Sequence, residues 1–179
     1  LWDSVDLGFK PTKRTWGAEV FPGSSLPNAM VQVSPVTKFH SGAGYQYEDS
    51  VIYGFTHTNK GHWNLCHIPL LPVTGTPTPG DYCSPFSHER ESAAPGYYQV
   101  FLDRYGVDAQ LSSTLRCAFH KYTYPAGAAP AVLADLQRSN EHVRAWDIRK
   151  EGDNVFAGWQ QTGEKMYFYA VANRPVTGI

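Results

Sequence analysis

The sequence predicts an all-β fold, an antiparallel two-sheet β-sandwich with long irregular loops in the first half of the chain. Most apolar clusters are short, rich in Val, Tyr, Phe and Trp, and bounded by Gly, Pro, Asn or Asp, which is the pattern of β-strands. Helical spacing is rare, and aromatic residues make up 14 % of the chain. A length of 179 residues suits one domain that buries a sizeable core, so we predict a single domain over 1–179.

Ten segments carry the strand pattern, and ten strands in one compact domain predict two packed sheets. In chain order they span 29–33, 51–55, 63–71, 97–102, 107–113, 115–124, 131–137, 142–149, 154–161 and 165–172. Two segments, 9–23 and 72–85, are loop-like, and the four prolines of the second forbid a long regular element there. We therefore expect long loops at the rim of the sandwich, a common place for function.

The second half of the chain predicts an antiparallel meander. Alternate residues of 143–150 fall on two faces, and the turn Gly152-Asp153-Asn154 follows. The segment 155–161 alternates in the same way, and Thr162-Gly163-Glu164 turns into the strand that begins at Lys165. Short turns between consecutive strands are typical of neighbours in one antiparallel sheet.

Charge and hydropathy exclude two classes of partner. The net charge is −1, and no stretch collects five or more like charges, so we expect no nucleic acid partner. The longest apolar runs, such as 67–73, are far shorter than the roughly 18 residues of a membrane-spanning helix, so we expect no membrane span. The chain starts at Leu1 without a signal-peptide pattern, so we expect any such peptide to have been removed or to lie outside it.

The three cysteines, Cys66, Cys83 and Cys117, are odd in number and lack CxxC spacing. This argues against a zinc site. It leaves open either one disulfide with a free thiol or three buried thiols.

The densest polar cluster covers 55–67 and reads FTHTNKGHWNLCH. Its histidines, His57, His62 and His67, are five residues apart and would alternate between the faces of a strand, so a shared metal would require a loop that folds the first back toward the second. Three interpretations stay open: a metal site, ordinary core or surface histidines, and a rim of donors for a polar ligand. Donors beside the indole of Trp63 suit a sugar, which needs apolar stacking and directional hydrogen bonds.

A second cluster, 87–91, reads SHERE and joins a base, two carboxylates and a guanidinium. General acid–base chemistry requires paired carboxylates at a defined separation, and Glu89 and Glu91 would share a face if extended. The alternative is a solvated turn held by ion pairs. In the opening loop, Trp16 with Glu19 nearby is either a ligand contact or a residue that packs over a sheet end.

Three blocks of sequence resemble a known family. They are FPGSSLPNAMVQVSPVT from Phe21, GYQYEDSVIYGFTHTNKG from Gly44, and FSHERESAAPGYYQVFLDRYGVDAQLSSTLRCAFHKYTYP from Phe86. In order and spacing they resemble the N-terminal domain of family 92 glycoside hydrolases, the calcium-dependent exo-α-mannosidases. The resemblance extends over roughly 16–175.

The resemblance implies a β-sandwich that packs on a larger C-terminal (α/α)₆ catalytic domain. In the family that domain supplies the general acid, the general base and the calcium ligands. We therefore expect an inverting enzyme that acts on α-mannoside glycans, with calcium bound outside this chain. This chain would hold no catalytic residue and no metal ligand, and it would be inactive alone. The resemblance also implies a secreted, periplasmic or cell-surface bacterial protein.

Residue by residue, His57 and Thr58 match the family's Ser-His-Thr-His loop, and Asn59 stands in place of its last histidine. The following Lys-Gly-His-Trp-Asn replaces the common Ser-Gly-Thr-Gly run. The resemblance and the polar cluster together predict the substrate-binding residues Glu19, His57, Asn59, His62 and Trp63, with Trp16 as a further candidate. A stand-alone carbohydrate-binding β-sandwich without catalysis is the alternative, and a scaffold that buries the face of a partner domain is a third hypothesis.

Overall fold

The computed structural model describes residues 21–61 and 63–179. It confirms the predicted all-β sandwich: fifteen β-strands and one short 3-10 helix, His88–Arg90, form in the described chain. The strands are β1 (Ser34–Val36), β2 (Val51–Ile52), β3 (Gly54–Thr56), β4 (Asn59–Lys60), β5 (Trp63–Asn64), β6 (Leu70–Thr74), β7 (Ser84–Pro85), β8 (Glu91–Ala94), β9 (Tyr97–Leu102), β10 (Val107–Ser113), β11 (Ala118–Thr123), β12 (Pro130–Ala134), β13 (Ala145–Lys150), β14 (Val155–Gln161) and β15 (Lys165–Val171).

Two antiparallel four-stranded sheets form the sandwich. The first sheet has the order β1-β3-β6-β12 and the second sheet the order β11-β10-β9-β8. The ring of Phe55 in the first sheet lies 6.5 Å from that of Tyr98 and stacks at 6.3 Å on that of Tyr122, both in the second sheet. The core fills the space between the two sheets, and its main members are Val33, Ile52, Phe55, Leu71, Val73, Tyr98, Val100, Leu102, Val107, Ala109 and Leu111.

The predicted meander is confirmed, and it forms a separate third sheet with the order β13-β14-β15. Gln160, fully buried on the central strand, joins this sheet to the sandwich. Its amide donates to the carbonyls of Leu136 (3.0 Å) and Arg138 (2.9 Å) and accepts from the Ile68 N–H (2.9 Å). The third sheet is thereby fixed behind the 57–68 segment.

Several predicted strands of the first half differ from the observed ones. The strand predicted at 29–33 begins only at Ser34, with Val33 in an isolated bridge, and the one predicted at 51–55 breaks between β2 and β3. The strand predicted over 63–71 splits into β5 and the start of β6. Cys66 and Ile68 between them have φ of 54°, a left-handed conformation that no strand contains.

The 72–85 segment is more regular than predicted. Pro72 lies inside β6 opposite Val132 of β12. A proline removes one N–H donor but keeps its carbonyl, so a five-residue strand tolerates it. The short β7 pairs with β2 in the same part of the fold.

The three cysteines are free. Cys66 is buried, Cys83 is half-buried and Cys117 is exposed. The disulfide alternative and the alternative of three buried thiols are therefore both wrong. Within the described residues, no helix is long and apolar enough to span a membrane.

Candidate functional site

The polar cluster of the sequence folds into a small hairpin. In this 59–64 hairpin, β4 and β5 pair antiparallel, with Asn59 opposite Asn64 and Lys60 opposite Trp63. Gly61 starts the two-residue loop with φ of 63°, the conformation that such turns require and that glycine adopts without strain. His62, the next loop residue and a predicted site residue, lies outside the described residues.

The tip of the hairpin faces solvent. Trp63 is 38 % exposed and Lys60 is exposed beside it. Neither side chain forms a hydrogen bond or an ion pair with the described part of the chain. The pair therefore presents an indole face for stacking and an ammonium group for hydrogen bonding.

Asn59 carries an unpaired buried amide. Its side-chain oxygen and nitrogen are both inaccessible, and neither has a hydrogen-bond partner among the described residues. Such a group costs about 1–3 kcal/mol while it stays unpaired. It is therefore a site where a further hydrogen-bonding partner would be stabilising.

Asn64 anchors the base of the hairpin. Its buried amide oxygen accepts from the Cys66 N–H (2.7 Å), and its amide nitrogen donates to the Thr56 hydroxyl (3.1 Å). Its main-chain N–H donates to the Gly42 carbonyl (2.9 Å). A Cβ at Gly44 would meet the Asn64 amide nitrogen at 2.9 Å, so the close approach of these two segments requires glycine there.

The segment behind the hairpin holds strained residues in place. Cys66 and Ile68 both have φ of 54°, which costs on the order of 1–3 kcal/mol for a residue with a side chain, and Ile68 is β-branched. The Ile68 N–H is fixed by Gln160, and its carbonyl accepts from His57 Nδ1 at 2.9 Å. The hairpin thus stands on a backbone that several side chains fix at once.

His57 points into the sandwich. Its Nδ1 donates to the Ile68 carbonyl, and its Nε2 lies 3.0 Å from His120 Nε2, while His120 Nδ1 lies 2.7 Å from the Tyr122 hydroxyl. With both rings neutral, one pattern satisfies every atom: His120 Nε2–H donates to His57, and Tyr122 donates to His120. Both ring nitrogens of His57 therefore have hydrogen-bond partners within the domain. The ring affects the hairpin by holding the Ile68 carbonyl in the segment behind it.

Burial keeps this pair neutral. Desolvation lowers the pKa of His57 to about 4. The pKa of His120 is held well below its ordinary value by burial first and by the neighbouring His57 second. Neither ring is a cation at neutral pH.

His67 belongs to a separate hydrogen-bond network and bridges three segments of the chain. Its ring is buried, with Nδ1 2.9 Å from the Thr58 hydroxyl and Nε2 3.0 Å from the Thr162 hydroxyl and 3.4 Å from the Glu141 carboxylate. Burial lowers its pKa, and Glu141 opposes that effect. His57 and His67 thus serve separate networks, and the described residues contain no group of three or more metal-ligating side chains.

The 87–91 cluster is a turn with a largely buried carboxylate, since the Glu91 side chain is 9 % exposed. Glu91 accepts from the Tyr98 hydroxyl (2.6 Å), from the Tyr45 hydroxyl (3.0 Å) and from His88 Nδ1 (2.5 Å). Glu89 is exposed. The turn held by ion pairs is therefore present, although its carboxylate is buried, and the two glutamates do not form an acid–base pair.

The structure brings Asn59 and Trp63 together on the hairpin and turns His57 inward below them. Trp16 and Glu19 lie outside the described residues, so their predicted roles stay predictions. The supporting role of Gln160 had no signal in the sequence, because the residue lies 92 positions from the Ile68 N–H that it holds. Chemically, the described site can stack and hydrogen-bond a ligand, and its residues include no carboxylate pair for hydrolysis.

Comparison with known proteins identifies relatives of the chain. Residues 10–179 match the family described as the glycosyl hydrolase family 92 N-terminal domain. The fold is similar to the family GH92 α-mannosidase BT3965 from Bacteroides thetaiotaomicron, with a TM-score of 0.83, 27 % identity and 89 % of this chain covered. It is also similar to ccman5, a glycosyl hydrolase of the GH92 family, with a TM-score of 0.68, 28 % identity and 86 % of this chain covered.

A third solved structure, the inverting mannosidase BT2199 from Bacteroides thetaiotaomicron, shares the fold at 23 % identity and a TM-score of 0.71, over 85 % of this chain and 22 % of its own. None of the curated proteins compared with the chain matches it. The chain spans 24 % of the length of BT3965 and 24 % of that of ccman5. The similarity therefore concerns about a quarter of each of these enzymes.

Proposed function

The chain belongs to the glycosyl hydrolase family 92 N-terminal domains, and from this we propose that it lines part of the substrate pocket of an inverting exo-α-mannosidase and packs on its catalytic domain. The observation that carries the proposal is the 59–64 hairpin. Its tip presents Trp63 and Lys60 to solvent, while its base is fixed by Asn64 and the strained segment behind it. A rigid base is what a pocket wall needs to hold a sugar in one orientation.

The Asn59 amide supports the same proposal. It is polar and buried, and it has no partner among the described residues. A site completed by another domain or by a substrate leaves such a group unpaired until the missing component is present. We therefore propose that Asn59 forms a hydrogen bond across the boundary between this chain and the pocket once its amide, which is inaccessible in the described chain, turns outward.

The reaction itself belongs to the catalytic domain. Inverting glycosidases use two carboxylates about 6.5–9.5 Å apart, one protonating the leaving oxygen and one activating a water. Glu91, the acidic side chain buried in the 87–91 turn, is occupied by Tyr45 and Tyr98. We accordingly propose that this chain supplies binding surface and is inactive alone.

Calcium, expected for the full enzyme, also belongs to that domain in our proposal. The described residues offer no group of carboxylates and other ligands arranged for a metal ion. They do not fit a calcium site, and no step of the proposed role passes through the ion.

The third sheet offers a surface for the catalytic domain. Tyr167, Tyr169 and Val171 are 70, 66 and 65 % exposed along one face of β15. Three large apolar side chains in a row on a free face are typical of a surface that another domain covers. We propose that this face packs on the catalytic domain.

The resemblance to family 92 glycoside hydrolases implies a protein that acts outside the cytoplasm. We therefore propose a secreted, periplasmic or cell-surface location in a bacterium. The bacterial origin of BT3965 supports this proposal.

The test is a kinetic comparison in the full-length protein. We expect Trp63→Ala to lower kcat/KM for α-mannobiose about tenfold, because it removes one stacking surface worth about 1.4 kcal/mol. Asn59→Ala is expected to lower kcat/KM in the same direction.

Phe119→Ala is the matched control, since Phe119 is an aromatic residue that is 58 % exposed on the second sheet, outside the hairpin. Its kcat/KM should equal that of the wild type. Unchanged kinetics in both Trp63→Ala and Asn59→Ala would contradict the pocket role.

A further inference from the structure

A cleft apart from the hairpin has the features of a second ligand site. It has a volume of about 480 Å³ and lies between the 37–39 loop, the 48–53 segment and Arg138. This volume falls within the range of roughly 300–1,000 Å³ that is usual for small-molecule sites. The cleft shares no lining residue with the 59–64 hairpin, and we call it the Arg138 cleft.

Arg138 is held in the cleft by aromatic rings. Its guanidinium carbon lies 5.7 Å from the ring centres of Phe39 and Tyr53 and 5.6 Å from that of Tyr82. At such distances the cation is attracted to each ring. Its Nε lies 3.5 Å from the Asp135 carboxylate, which fixes one edge of the guanidinium.

The outer edge of the same guanidinium is free. The Arg138 side chain is 40 % exposed, and its two terminal nitrogens have no hydrogen-bond partner in the described chain. A guanidinium edge of this kind presents two parallel N–H donors, which match two neighbouring oxygens of a ligand.

Acceptors face these donors across the cleft. The Thr37 hydroxyl donates to Asp49 Oδ2 (2.8 Å) and accepts from the Gln46 N–H (2.9 Å), so the Asp49 carboxylate is fixed in direction. Glu48 and Lys38 also line the cleft, and neither side chain is bonded to any other described residue. The cleft thus contains hydrogen-bond donors and acceptors, some fixed by other residues and some without a partner among the described residues.

The side chains that line the cleft carry balanced charges. Lys38 and Arg138 contribute two positive charges, and Glu48 and Asp49 contribute two negative charges, while Asp135, which does not line the cleft, adds a negative charge beside Arg138. A phosphate or carboxylate ligand would meet the two carboxylates, and a cationic ligand would meet the two cations. A neutral ligand whose groups both donate and accept meets neither obstacle, and the vicinal hydroxyls of a sugar are such groups.

We propose that the Arg138 cleft binds a neutral hexose residue of a glycan, as a second sugar contact on this chain beyond the 59–64 hairpin. Arg138 donates to two adjacent hydroxyls, and Glu48 and Asp49 accept from others. The proposal does not depend on the role of the hairpin in hydrolysis.

The experiment is affinity electrophoresis of the full-length protein in gels that contain α-mannan, dextran or heparin. We expect α-mannan or dextran to retard the wild type. Glu48→Ala should weaken that retardation at least about tenfold, the effect of one lost charge-assisted hydrogen bond, and Arg138→Met, which loses two such bonds, should weaken it further. Glu48 forms no bond in the described structure, so its replacement leaves folding intact and keeps the test decisive if Arg138→Met does not fold.

Arg116→Met is the matched control, because Arg116 is an exposed arginine outside the cleft. It should migrate as the wild type does. The inference is overturned if neither neutral polymer retards the protein, if Glu48→Ala migrates like the wild type, or if Arg138→Met changes heparin retardation alone, which would identify an anion site.

The outcomes for the cleft and for the hairpin are separable. Lost retardation in Glu48→Ala together with unchanged kinetics in Trp63→Ala would uphold the cleft and contradict the hairpin. The reverse pattern would overturn the cleft and uphold the hairpin.

Discussion

Two neutral histidines meet inside the sandwich, and their protonation is linked to folding. His57 and His120 face each other through their Nε2 atoms at 3.0 Å, with the Ile68 carbonyl at one end and the Tyr122 hydroxyl at the other. The described groups around the pair include no carboxylate bonded to either ring. A proton taken up by either histidine would therefore place an uncompensated charge in a buried site.

This arrangement predicts a loss of stability in mild acid. The pKa of His57 is about 4 in the folded protein against 6.5 in the unfolded chain, and that of His120 is shifted in the same direction. The unfolded state therefore binds more protons between these values, so the free energy of unfolding is fully present above pH 6.5 and falls as the pH drops from 6.5 toward 4. Urea unfolding of the chain at a series of pH values measures this directly.

Replacement of one histidine identifies the source of the effect. His120→Gln should be less stable than the wild type at pH 7 and should lose less stability between pH 6.5 and 5. His142→Gln, at an exposed histidine, should retain the full wild-type dependence. A wild-type stability that stays constant between pH 6.5 and 5 would contradict the buried neutral pair.

At this scale the sequence shows that the polar residues lie in one segment, but it does not determine where each side chain points. Phe55 and His57 are two positions apart and share a face, which is consistent with the inward direction of both. The partner that fixes His57, His120, lies 63 residues away and has no signal in the local pattern. Cys66 and Ile68 adopt a glycine-like conformation without being glycine, so tertiary bonds alone determine it.

Among the elements, β14 connects the third sheet to the candidate site. Gln160 extends from this strand to the main chain behind the 59–64 hairpin. Two residues earlier, Gly158 lies between Ile148 of β13 and Phe168 of β15. The position of the whole sheet therefore affects the base of the hairpin.

Gly158→Ala should loosen this element. A Cβ at Gly158 would lie 2.1 Å from the Asp147 carbonyl oxygen and 2.8 Å from the Phe168 ring, distances that force the neighbouring strand away. We expect a loss of about 2 kcal/mol in the free energy of unfolding, and faster hydrogen exchange at the Ile68 amide that Gln160 holds. Urea unfolding and amide exchange measure the two effects.

Gly163→Ala provides the comparison, since a Cβ there meets no atom within 4 Å. Its unfolding free energy should stay within about 0.5 kcal/mol of the wild type. Equal stability of the two variants would mean that the strands around Gly158 pack less closely than the structure shows.

Strands with a long alternating pattern were predictable, and short ones were not. β9 and β10 occupy the bounds that the sequence predicts, because every second side chain of each is buried. β2, β4, β5 and β7 have two residues each, too few for any periodicity. β2 and β7 form by pairing with each other across a long stretch of chain, whereas β4 and β5 pair in a short hairpin, and no periodic pattern indicates any of the four.

On the scale of the whole molecule, the exposed face of β15 is an apolar surface that the described residues leave uncovered. Trp159 lies beside Tyr167 on this face, and the Lys165 ammonium sits 3.7 Å from the Trp159 ring centre. Arg149 of β13 pairs with Asp147 and Glu151 along the other edge of the sheet. The surface is thus apolar on one side and charged on the other.

Double replacement of Tyr167 and Tyr169 by serine tests whether this face packs on another domain. The isolated chain should associate with itself less after the change, because less apolar surface is exposed to water. In the full-length protein the same change should lower Tm, because it removes the proposed interdomain contacts. Sedimentation and thermal unfolding provide the two readouts.

Phe119→Ser is the comparison for this test, since Phe119 is 58 % exposed on the second sheet. It should leave the Tm of the full-length protein unchanged. A double variant with wild-type Tm in the full-length protein would place the interface elsewhere.

Because the base of the 59–64 hairpin is fixed and its tip is free, the residues at the tip can be replaced independently of the base. The bonds that hold it come from Asn64, Gln160 and His57, whereas the side chains of Lys60 and Trp63 at its tip form no hydrogen bond or ion pair with the described chain. Substitutions at the tip therefore leave folding nearly untouched while they alter what the tip contacts. Specificity can diverge at these positions in evolution, or be redesigned there, without renewed selection for stability.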